Sequence, residues 1–570
     1  MAKIDSSKIS SVPAQSTWPI FRSLASYHPR FLASDLIAGF TLVAIAIPEQ
    51  MATARLGGFS PQIGFYAFVA GSVGFAMFGA NRILSCGADS TITPIFAGTL
   101  ASLAVAGSPD YAVLAAALAV MVGFALVASG IFRLGWIANL LSMPVTVGFL
   151  AGIAVHILVS QLPGVLGVSP PSGPLPSRLL ALAGNLNGAN PFTLLIGFGV
   201  LAVIAISERI SVRIPGALIG LTVATVAVVL MGLESRGVSV IGVVSGALPG
   251  LAIPEIPVSG WARLVPLGLL ITAVVMVQTA ATTRSFPSDP GEPPDVDRDF
   301  LGVGAGGVLA GLIGAFPVNA SPPRTGIVVE TGGRSQLAGL FAAGVVLALL
   351  MFGAGLLRHV PNAALGGVLL FVALRIIRVG QIVAIYRQSF GELLLVVATA
   401  MSIIVLPIEQ GAAIGIALSL LHGIWSTTRA RLIIYERVPG TSIWWPPSPN
   451  VEGEREPNVI VAGFQAPLSF LNAYHFRGDL LSALKTGPST PRLVVLEATG
   501  ILEIDFTAAQ VLRDLIGACR AKGVAVAIAR LESVRAQQAM ARFHIDDLLG
   551  QDHIFLSVEQ AIAALKGVVR

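Results

Sequence analysis

Charged residues are scarce in this sequence. Asp, Glu, Lys and Arg together make up 11% of the chain, whereas a soluble globular protein usually carries about 25%. Hydrophobic residues make up 54%, and the mean hydropathy is +0.82. The composition therefore predicts a membrane protein.

Cysteine is almost absent, which excludes several kinds of site. Cys86 and Cys519 lie in very different segments, and no Cys-x-x-Cys or Cys/His ligand spacing accompanies them. We expect two free thiols, no disulfide framework and no metal site.

Nucleotide and nucleic-acid motifs are also missing. The chain has no Walker lysine motif, and the glycine-rich GVGAGG at 302–307 is better explained by close helix packing than by a nucleotide loop. The formal charge of +5 comes from dispersed basic residues, which is typical of cytoplasmic loops. We expect no enzyme activity, no cofactor and no nucleic-acid partner.

Long apolar stretches are what the chain does contain. A membrane span needs roughly 20 apolar residues, and about fourteen charge-poor stretches follow one another along the chain. The stretches are 36–54, 62–80, 88–106, 111–132, 138–160, 191–207, 214–232, 264–283, 300–316, 323–333, 335–357, 361–377, 390–408 and 410–428. An even count places both termini on one side of the membrane.

The composition changes at both ends of this region. Residues 1–34 contain basic residues but no apolar core before a cleavage site, so we expect a cytoplasmic segment rather than a signal peptide. Arg429 and Arg431 follow the last apolar stretch and indicate a cytoplasmic exit. The predicted domains are a transmembrane domain over 35–428, a proline-rich linker over 429–457 and a soluble domain over 458–570. In the last, the strand-like VIVAGF, RLVVLEA and VAVAIAR alternate with helical patterns, which predicts a small α/β domain.

Three apolar stretches are interrupted by proline and polar residues. They are IAIPEQMATARLGGF at 45–59, ILSCGADSTITPIFAG at 83–98 and GAFPVNASPPRTGIVV at 314–329. Backbone that leaves a helix inside a bilayer is found where it lines a buried cavity. In the second and third stretches a polar turn precedes a new apolar helix, whose N-terminal N–H groups would attract an anion. Their corresponding positions in the two halves favour an inverted-repeat transporter, although prolines that merely kink packed helices would give the same pattern.

These stretches, together with the soluble APLSFLNAYHF and VLEATGILEIDFTAA, resemble the SulP anion transporters with their C-terminal STAS domain. The resemblance extends over about residues 30–570. It implies an α-helical membrane fold of seven plus seven spans in inverted repeat, divided into a core domain and a gate domain. It also implies a homodimer in the inner (plasma) membrane and a small anion as substrate, such as sulfate, bicarbonate or a carboxylate.

The resemblance places the substrate site where spans 1, 3, 8 and 10 meet. Arg324 matches the family's arginine, and Pro48-Glu49 matches its Pro-Gln. The full set of candidate substrate-binding residues is Glu49, Gln50, Thr53, Asp89, Ser90, Gln278, Ala320, Ser321 and Arg324.

Two departures from the family bear on coupling. Gln278 replaces an acidic residue of span 8, and carboxylates stand at Glu49 and Asp89, where relatives are commonly neutral. Two carboxylates in a low-dielectric pocket cannot both stay ionised without a compensating cation, so both residues are candidate proton carriers. The structural alternatives are a fixed salt bridge from Glu49 to Arg324 and capping of the span 3 half-helix by Asp89.

The main functional hypothesis is therefore proton-coupled symport of a small anion by an elevator-type movement. A cationic or zwitterionic substrate bound by Glu49 and Asp89, and uncoupled anion exchange, are alternatives within the same fold. A sensor that works through the STAS-like domain is an alternative from another class. In that domain Asp505 is followed by Phe506 rather than serine, so we expect no phosphorylation switch there.

Two predictions concern other ionisable residues. We expect His156 to be a hydrogen-bonded packing histidine. We expect Arg284, Asp289, Glu292, Asp295, Asp297, Arg298 and Asp299 to form a solvated loop.

Overall fold

The computed structural model describes residues 20–565 and 567, apart from 22–23, 25–26, 137–141, 170–172, 174, 212–213, 243–249, 289–292, 429, 449–451 and 487–490. Most of the predicted N-terminal segment, and Arg429, Asp289 and Glu292, lie outside these residues. By its internal contacts the chain divides into two units, Met1–Ser419 and Leu420–Arg570.

The first half of the membrane region contains eight described helices and one short strand. They are α1 Leu32–Leu56, α2 Pro61–Phe78, β1 Cys86–Gly87, α3 Thr93–Leu103, α4 Pro109–Ile131, α5 Met143–Leu166, α6 Leu175–Gly184, α7 Pro191–Ile210 and α8 Gly216–Leu230. Proline occupies the first turn of most of these helices, where its fixed φ suits the helix and its missing N–H costs nothing.

The second half repeats the order of the first within the described residues. Its elements are α9 Val258–Ser285, α10 Val296–Leu312, β2 Asn319–Ala320, α11 Pro322–Glu330, α12 Leu337–Leu357, α13 Asn362–Ile376, α14 Val379–Gln388, α15 Phe390–Val405 and α16 Ile408–Thr428. Each of the fourteen charge-poor stretches overlaps one helix, and the short helices α6 and α14 lie between them. Eight described helical stretches are long and apolar enough to cross a bilayer by themselves.

The helices of the first unit pack into two bundles. Helices α1–α4 pack with α9–α12, whereas α5, α7, α8, α13 and α15 pack with one another. We call the first bundle the core bundle and the second the gate bundle. Each half of the sequence gives its first four helices to the core bundle, so this bundle contains the three stretches with internal prolines and polar residues.

Glycine allows the helices of the core bundle to approach closely. A Cβ atom at Gly74 of α2 would lie 2.3 Å from the backbone nitrogen of Gly306 in α10, and one at Gly311 would lie 2.4 Å from the carbonyl oxygen of Ala116 in α4. The GVGAGG motif thus lies inside α10 and faces α2 and α4. The prediction of small-residue helix packing is confirmed.

The predicted solvated loop after span 8 is wrong for Asp299. This side chain is fully buried in the first turn of α10. It accepts hydrogen bonds from the backbone N–H groups of Ala80 and Asn81 at 2.9 Å and from the hydroxyl of Thr283 at 2.7 Å. The carboxylate therefore connects α9 and α10 to the end of α2 and has a structural role inside the protein.

His156 has the packing role that the sequence predicts. Its Nε2 lies 2.7 Å from the carbonyl oxygen of Ile403 in α15. The helical partner of that carbonyl would be the N–H of the residue four positions later, which is Pro407 and has no N–H. The imidazole supplies the missing donor.

The second unit contains a five-stranded sheet in the order β3-β6-β7-β8-β9. Strand β3 is antiparallel to β6, and the remaining pairs are parallel. The strands are β3 Leu432–Ile434, β4 Glu436–Arg437, β5 Trp444–Trp445, β6 Val459–Phe464, β7 Leu493–Glu497, β8 Ala525–Ala529 and β9 Ile554–Phe555, and β4 pairs with β5 in a separate hairpin. The segment predicted as a linker therefore contributes three strands.

The helices of this unit cover both faces of the sheet. They are α17 Ala473–Thr486, α18 Phe506–Ala521, α19 Val534–Arg542, α20 Ile545–Leu549 and α21 Val558–Ala564. Asp505 caps α18 by accepting from the N–H of Ala508 at 2.8 Å, and its other oxygen accepts from the N–H of Phe470 at 2.7 Å. The aspartate therefore has a structural role in joining two loops.

The glycine packing generates a prediction about stability. Gly74→Ala should destabilise the protein by about 1–3 kcal/mol, because the new methyl group meets fixed backbone. Gly344→Ala in α12 is the matched control, since a Cβ there meets nothing within 4 Å and alanine favours the helix. Thermal inactivation in detergent should show a lower midpoint for Gly74→Ala only. Equal midpoints would contradict the close packing of α2 on α10.

Candidate functional site

The second and third interrupted stretches meet as a pair of short strands. The first is not interrupted, because α1 continues through Pro48. Strand β1 pairs antiparallel with β2, with Cys86 opposite Ala320 and Gly87 opposite Asn319. The N–H of Ser321 continues the pairing by donating to the carbonyl oxygen of Ser85 at 2.9 Å. Backbone that leaves the helices thus finds hydrogen-bond partners across the pair. Helices α3 and α11 begin after the strands, so their N-terminal ends lie on either side of the same point.

Two glutamines hold this strand pair in place. The side chain of Gln50 forms two bonds with Ala88, donating to its carbonyl oxygen at 3.1 Å and accepting from its N–H at 2.9 Å. Gln278 of α9 donates to the carbonyl oxygen of Ala320 at 3.2 Å and to Oδ2 of Asp89 at 3.3 Å. Both amides therefore join the interrupted backbone to continuous helices.

Arg324 is a fully buried cation at the start of α11. Its Nη1 donates to Oε1 of Glu49 at 2.7 Å and to the carbonyl oxygen of Ala88 at 3.1 Å. Its Nε donates to Oγ of Ser85 at 3.4 Å, and among the described residues Nη2 has no hydrogen-bond partner. The salt bridge between Glu49 and Arg324, one of the two structural alternatives, is thus present, and it leaves one face of the guanidinium unused.

Asp89 is a second buried carboxylate, with neutral hydrogen-bond partners in the part of the chain that the structure describes. Its Oδ1 accepts from the N–H of Thr91 at 2.9 Å and from the hydroxyl of the same residue. The same hydroxyl oxygen also lies 2.8 Å from Oε1 of Gln278. The bond to the Thr91 N–H is a local contact within the turn before α3. It is not the helix cap of the structural alternative, because α3 begins after Ile92 without a side-chain cap hydrogen bond.

Glu49, Asp89, Gln278 and Arg324 form a buried cluster of polar side chains. A cavity of about 730 Å³ opens between the core bundle and the gate bundle and reaches this cluster. Five of the nine predicted residues line it: Glu49, Asp89, Ser90, Gln278 and Ser321. The other four, Gln50, Thr53, Ala320 and Arg324, lie behind the lining. The structure therefore brings eight of the predicted residues together around the strand pair. Thr53 lies one turn beyond Glu49 on α1, where its hydroxyl has no partner among the described residues.

The opposite wall of the cavity was not predicted. Phe149 of α5 and Phe371 of α13 face the cluster from the gate bundle. Arg375 of α13 also lines the cavity, paired with Glu208 of α7 at 2.9 Å. Charges near the ends of spans resemble ordinary interfacial residues in a sequence, so only the packing of the bundles reveals that they share a cavity.

Comparison with known proteins connects this geometry to a family. The model of the sulfate permease family matches residues 32–399, and that of the STAS domain matches residues 450–561. A probable sulfate transporter of Mycobacterium tuberculosis is 32% identical over 545 residues, which cover 95% of this chain and 96% of the relative. Probable sulfate transporter 4.2 of Arabidopsis thaliana is 24% identical, and the match covers 96% of this chain and 83% of the relative.

Solved structures share the fold. The murine solute carrier 26 family member A9 anion transporter, in its inward-facing state, superposes with a TM-score of 0.87 at 20% identity, covering 95% of this chain and 92% of that one. The transmembrane domain of the cyanobacterial bicarbonate transporter BicA gives a TM-score of 0.60 at 23% identity, covering 69% of this chain and 98% of that domain.

The comparisons confirm the resemblance and the fold class, a helical membrane transporter fold followed by a STAS domain. Because the relatives are transporters, the expectation that the chain is not an enzyme is also confirmed. This chain is a member of the sulfate permease family of membrane anion transporters.

Proposed function

We propose that the protein is a secondary active transporter that carries a small anion together with a proton. The observation that carries the proposal is the buried ion pair of Arg324 and Glu49 at the bottom of the cavity. The relatives named as sulfate and bicarbonate transporters support inorganic oxyanions as the first substrates to test, with carboxylates next.

The charges of the cluster explain why a proton would be needed. When Glu49 and Asp89 are both ionised, they outweigh the single positive charge of Arg324, and the site repels an anion. Protonation of Glu49 removes one negative charge and breaks its charge-assisted bond to the guanidinium. Arg324, with the positive dipole ends of α3 and α11, then faces the anion. Anion and proton therefore favour each other's binding, which is the requirement for symport.

The two bundles provide a route for alternating access. The cluster belongs to the core bundle, whereas the opposite wall belongs to α5, α7, α8 and α13 of the gate bundle. We propose that the core bundle carries the anion across the gate bundle in an elevator-type movement. The close glycine contacts within the core bundle support its movement as one body.

Basic residues indicate which side the cavity faces. Where the cavity opens, Arg284 lies in the last turn of α9 and Arg378 directly precedes α14, and both line the cavity. By the positive-inside rule this end is cytoplasmic. We therefore propose an inner-membrane protein with cytoplasmic termini, here open to the cytoplasm, and we propose a homodimer as its assembly.

One observation favours a second candidate function. Because Glu49 neutralises Arg324 within the protein, Asp89 is left to attract a cationic or zwitterionic substrate. Uptake of radiolabelled sulfate, bicarbonate, succinate, glycine and putrescine into proteoliposomes separates the candidates. Saturable uptake of putrescine or glycine alone, with no anion competing, would reject anion transport. If anion uptake required an anion inside the liposomes and did not depend on the pH gradient, the result would indicate uncoupled exchange.

Arg324→Ala should abolish anion binding, because removing an anion from water without a countercharge costs several kcal/mol. Binding of the transported anion is measured by isothermal titration of the purified protein. The double variant Glu49→Gln/Arg324→Ala controls for folding, since the single variant leaves Glu49 buried without its partner. If affinity fell by less than about threefold, or ~0.7 kcal/mol, Arg324 would lie outside the site.

Glu49→Gln should keep anion binding and exchange but lose acid-driven accumulation, because glutamine mimics the protonated side chain permanently. Uptake into liposomes is measured with and without an inward proton gradient, and counterflow exchange checks that the variant is folded. Asp89→Asn is the second variant, although loss of its bond to Thr91 will lower stability as well. Undiminished acid stimulation in both single variants and in the double variant would refute the proton-carrier role.

A further inference from the structure

The mouth of the cavity carries its own set of charged residues, separate from the buried cluster. They are Glu208, Arg284, Glu330, Arg375 and Arg378. Arg375 and Glu208 form an ion pair across α13 and α7, with 44% and 32% of their side chains exposed. The pair at the bottom, Arg324 and Glu49, is 0% and 11% exposed. The outer pair is therefore more accessible to water and dissolved ions than the inner pair, of which only Glu49 reaches the cavity.

The sign of the charge changes with depth in the cavity. Three arginines face two glutamates at the mouth, whereas Glu49 and Asp89 outnumber Arg324 at the bottom. A small anion is therefore attracted to the mouth and is repelled further in until a proton is taken up. A cleft with low-dielectric walls strengthens both effects, because it concentrates the electric field inside it.

We propose that Arg375 and Arg378 form an outer binding station for the transported anion on the gate bundle. The inference rests on the proposed function, since it assigns a waiting position to the same substrate. Arg375 lies in the last turn of α13 and Arg378, three residues later, directly precedes α14, so the junction of these helices presents both guanidinium groups to the cavity. Arg378 has only a long contact to Gln381, at 3.5 Å, in the described structure, and its charge remains available to a ligand.

Glu208 sets the strength of this station. It occupies Nη1 of Arg375 at 2.9 Å, so an arriving oxyanion competes with a carboxylate for the same donor. Guanidinium groups bind oxyanions through two parallel N–H bonds, which an ammonium group cannot reproduce. The station consequently holds an anion weakly enough to release it inward.

The test compares single charge removals in the full-length protein in proteoliposomes. Arg375→Gln and Arg378→Gln should each raise the half-saturating anion concentration about threefold, the effect of one exposed charge roughly 6 Å away. The maximal rate and the response to a proton gradient should stay unchanged. Glu208→Gln should lower the half-saturating concentration. Arg358→Gln is the matched control, because Arg358 is exposed and lies outside the cavity lining.

Two further variants distinguish attraction from mere loss of the ion pair. Glu208→Gln/Arg375→Gln removes both charges, and it should remain weaker than Glu208→Gln if Arg375 attracts the anion. Arg375→Lys should recover part of the affinity. High ionic strength, set with potassium gluconate, should abolish the difference between Arg375→Gln and wild type, because salt screens exposed charges.

The initial uptake of sulfate, bicarbonate and succinate is measured for every variant. Half-saturating concentrations in Arg375→Gln and Arg378→Gln equal to that of Arg358→Gln would overturn the outer station while leaving transport intact. An affinity of the double variant equal to that of Glu208→Gln would also overturn it. Absence of uptake of all three anions by wild-type protein would instead refute the proposed function, and the station with it.

Discussion

The membrane region depends on one constraint, that backbone leaving a helix inside a bilayer must still form hydrogen bonds. The chain meets it by pairing β1 with β2, so that each interruption satisfies the other. Gln50 and Gln278 extend this pairing to α1 and α9. Because the strands follow the second helix of each half, at corresponding positions, the pairing also fixes where the two halves meet.

The same pairing gives the site its electrostatic character. Two helices begin beside the strands, and the positive ends of their dipoles face this region. Arg324 adds a full charge that Glu49 balances. The buried cation is thus neutralised by Glu49 in this structure. A proton on Glu49 or a bound anion would change the net charge of the pair. Asp89 differs from Glu49, because its hydrogen-bond partners in the described structure are neutral and no arginine balances its charge there.

Much of this arrangement can be predicted from the sequence, because it depends on residues that break a regular pattern. Asp89 and the Pro322-Pro323 pair are conspicuous in apolar stretches and mark real interruptions. Pro48 lies inside the continuous helix α1, next to the buried Glu49. The approximate bounds of the membrane helices follow from the lengths of the charge-poor stretches. The burial of Asp299 could not be predicted, since nearby acidic residues at the end of a span resemble a loop.

The lining of the cavity could not be predicted for a related reason. Whether a side chain such as that of Gln50 faces a substrate or a neighbouring backbone depends on where distant segments pack. Ala88 is 38 residues away from Gln50, and Arg375 and Glu208 are separated by most of the second half of the membrane region. The linker was likewise hard to recognise as part of a sheet, since β3 is short and its partner β6 begins 25 residues later.

The long separation between β1 and β2 has a consequence for biosynthesis. Ser85 and Thr325, which are hydrogen-bonded to each other, are 240 residues apart, and at about 5–20 residues per second the ribosome needs about 12–48 s to make the chain between them. During that time the first interrupted stretch is already made, and its backbone groups have no protein partner from the second half. The nascent first half must therefore be kept near water or held by the insertion machinery, and a chain truncated before β2 is a natural target for membrane quality control.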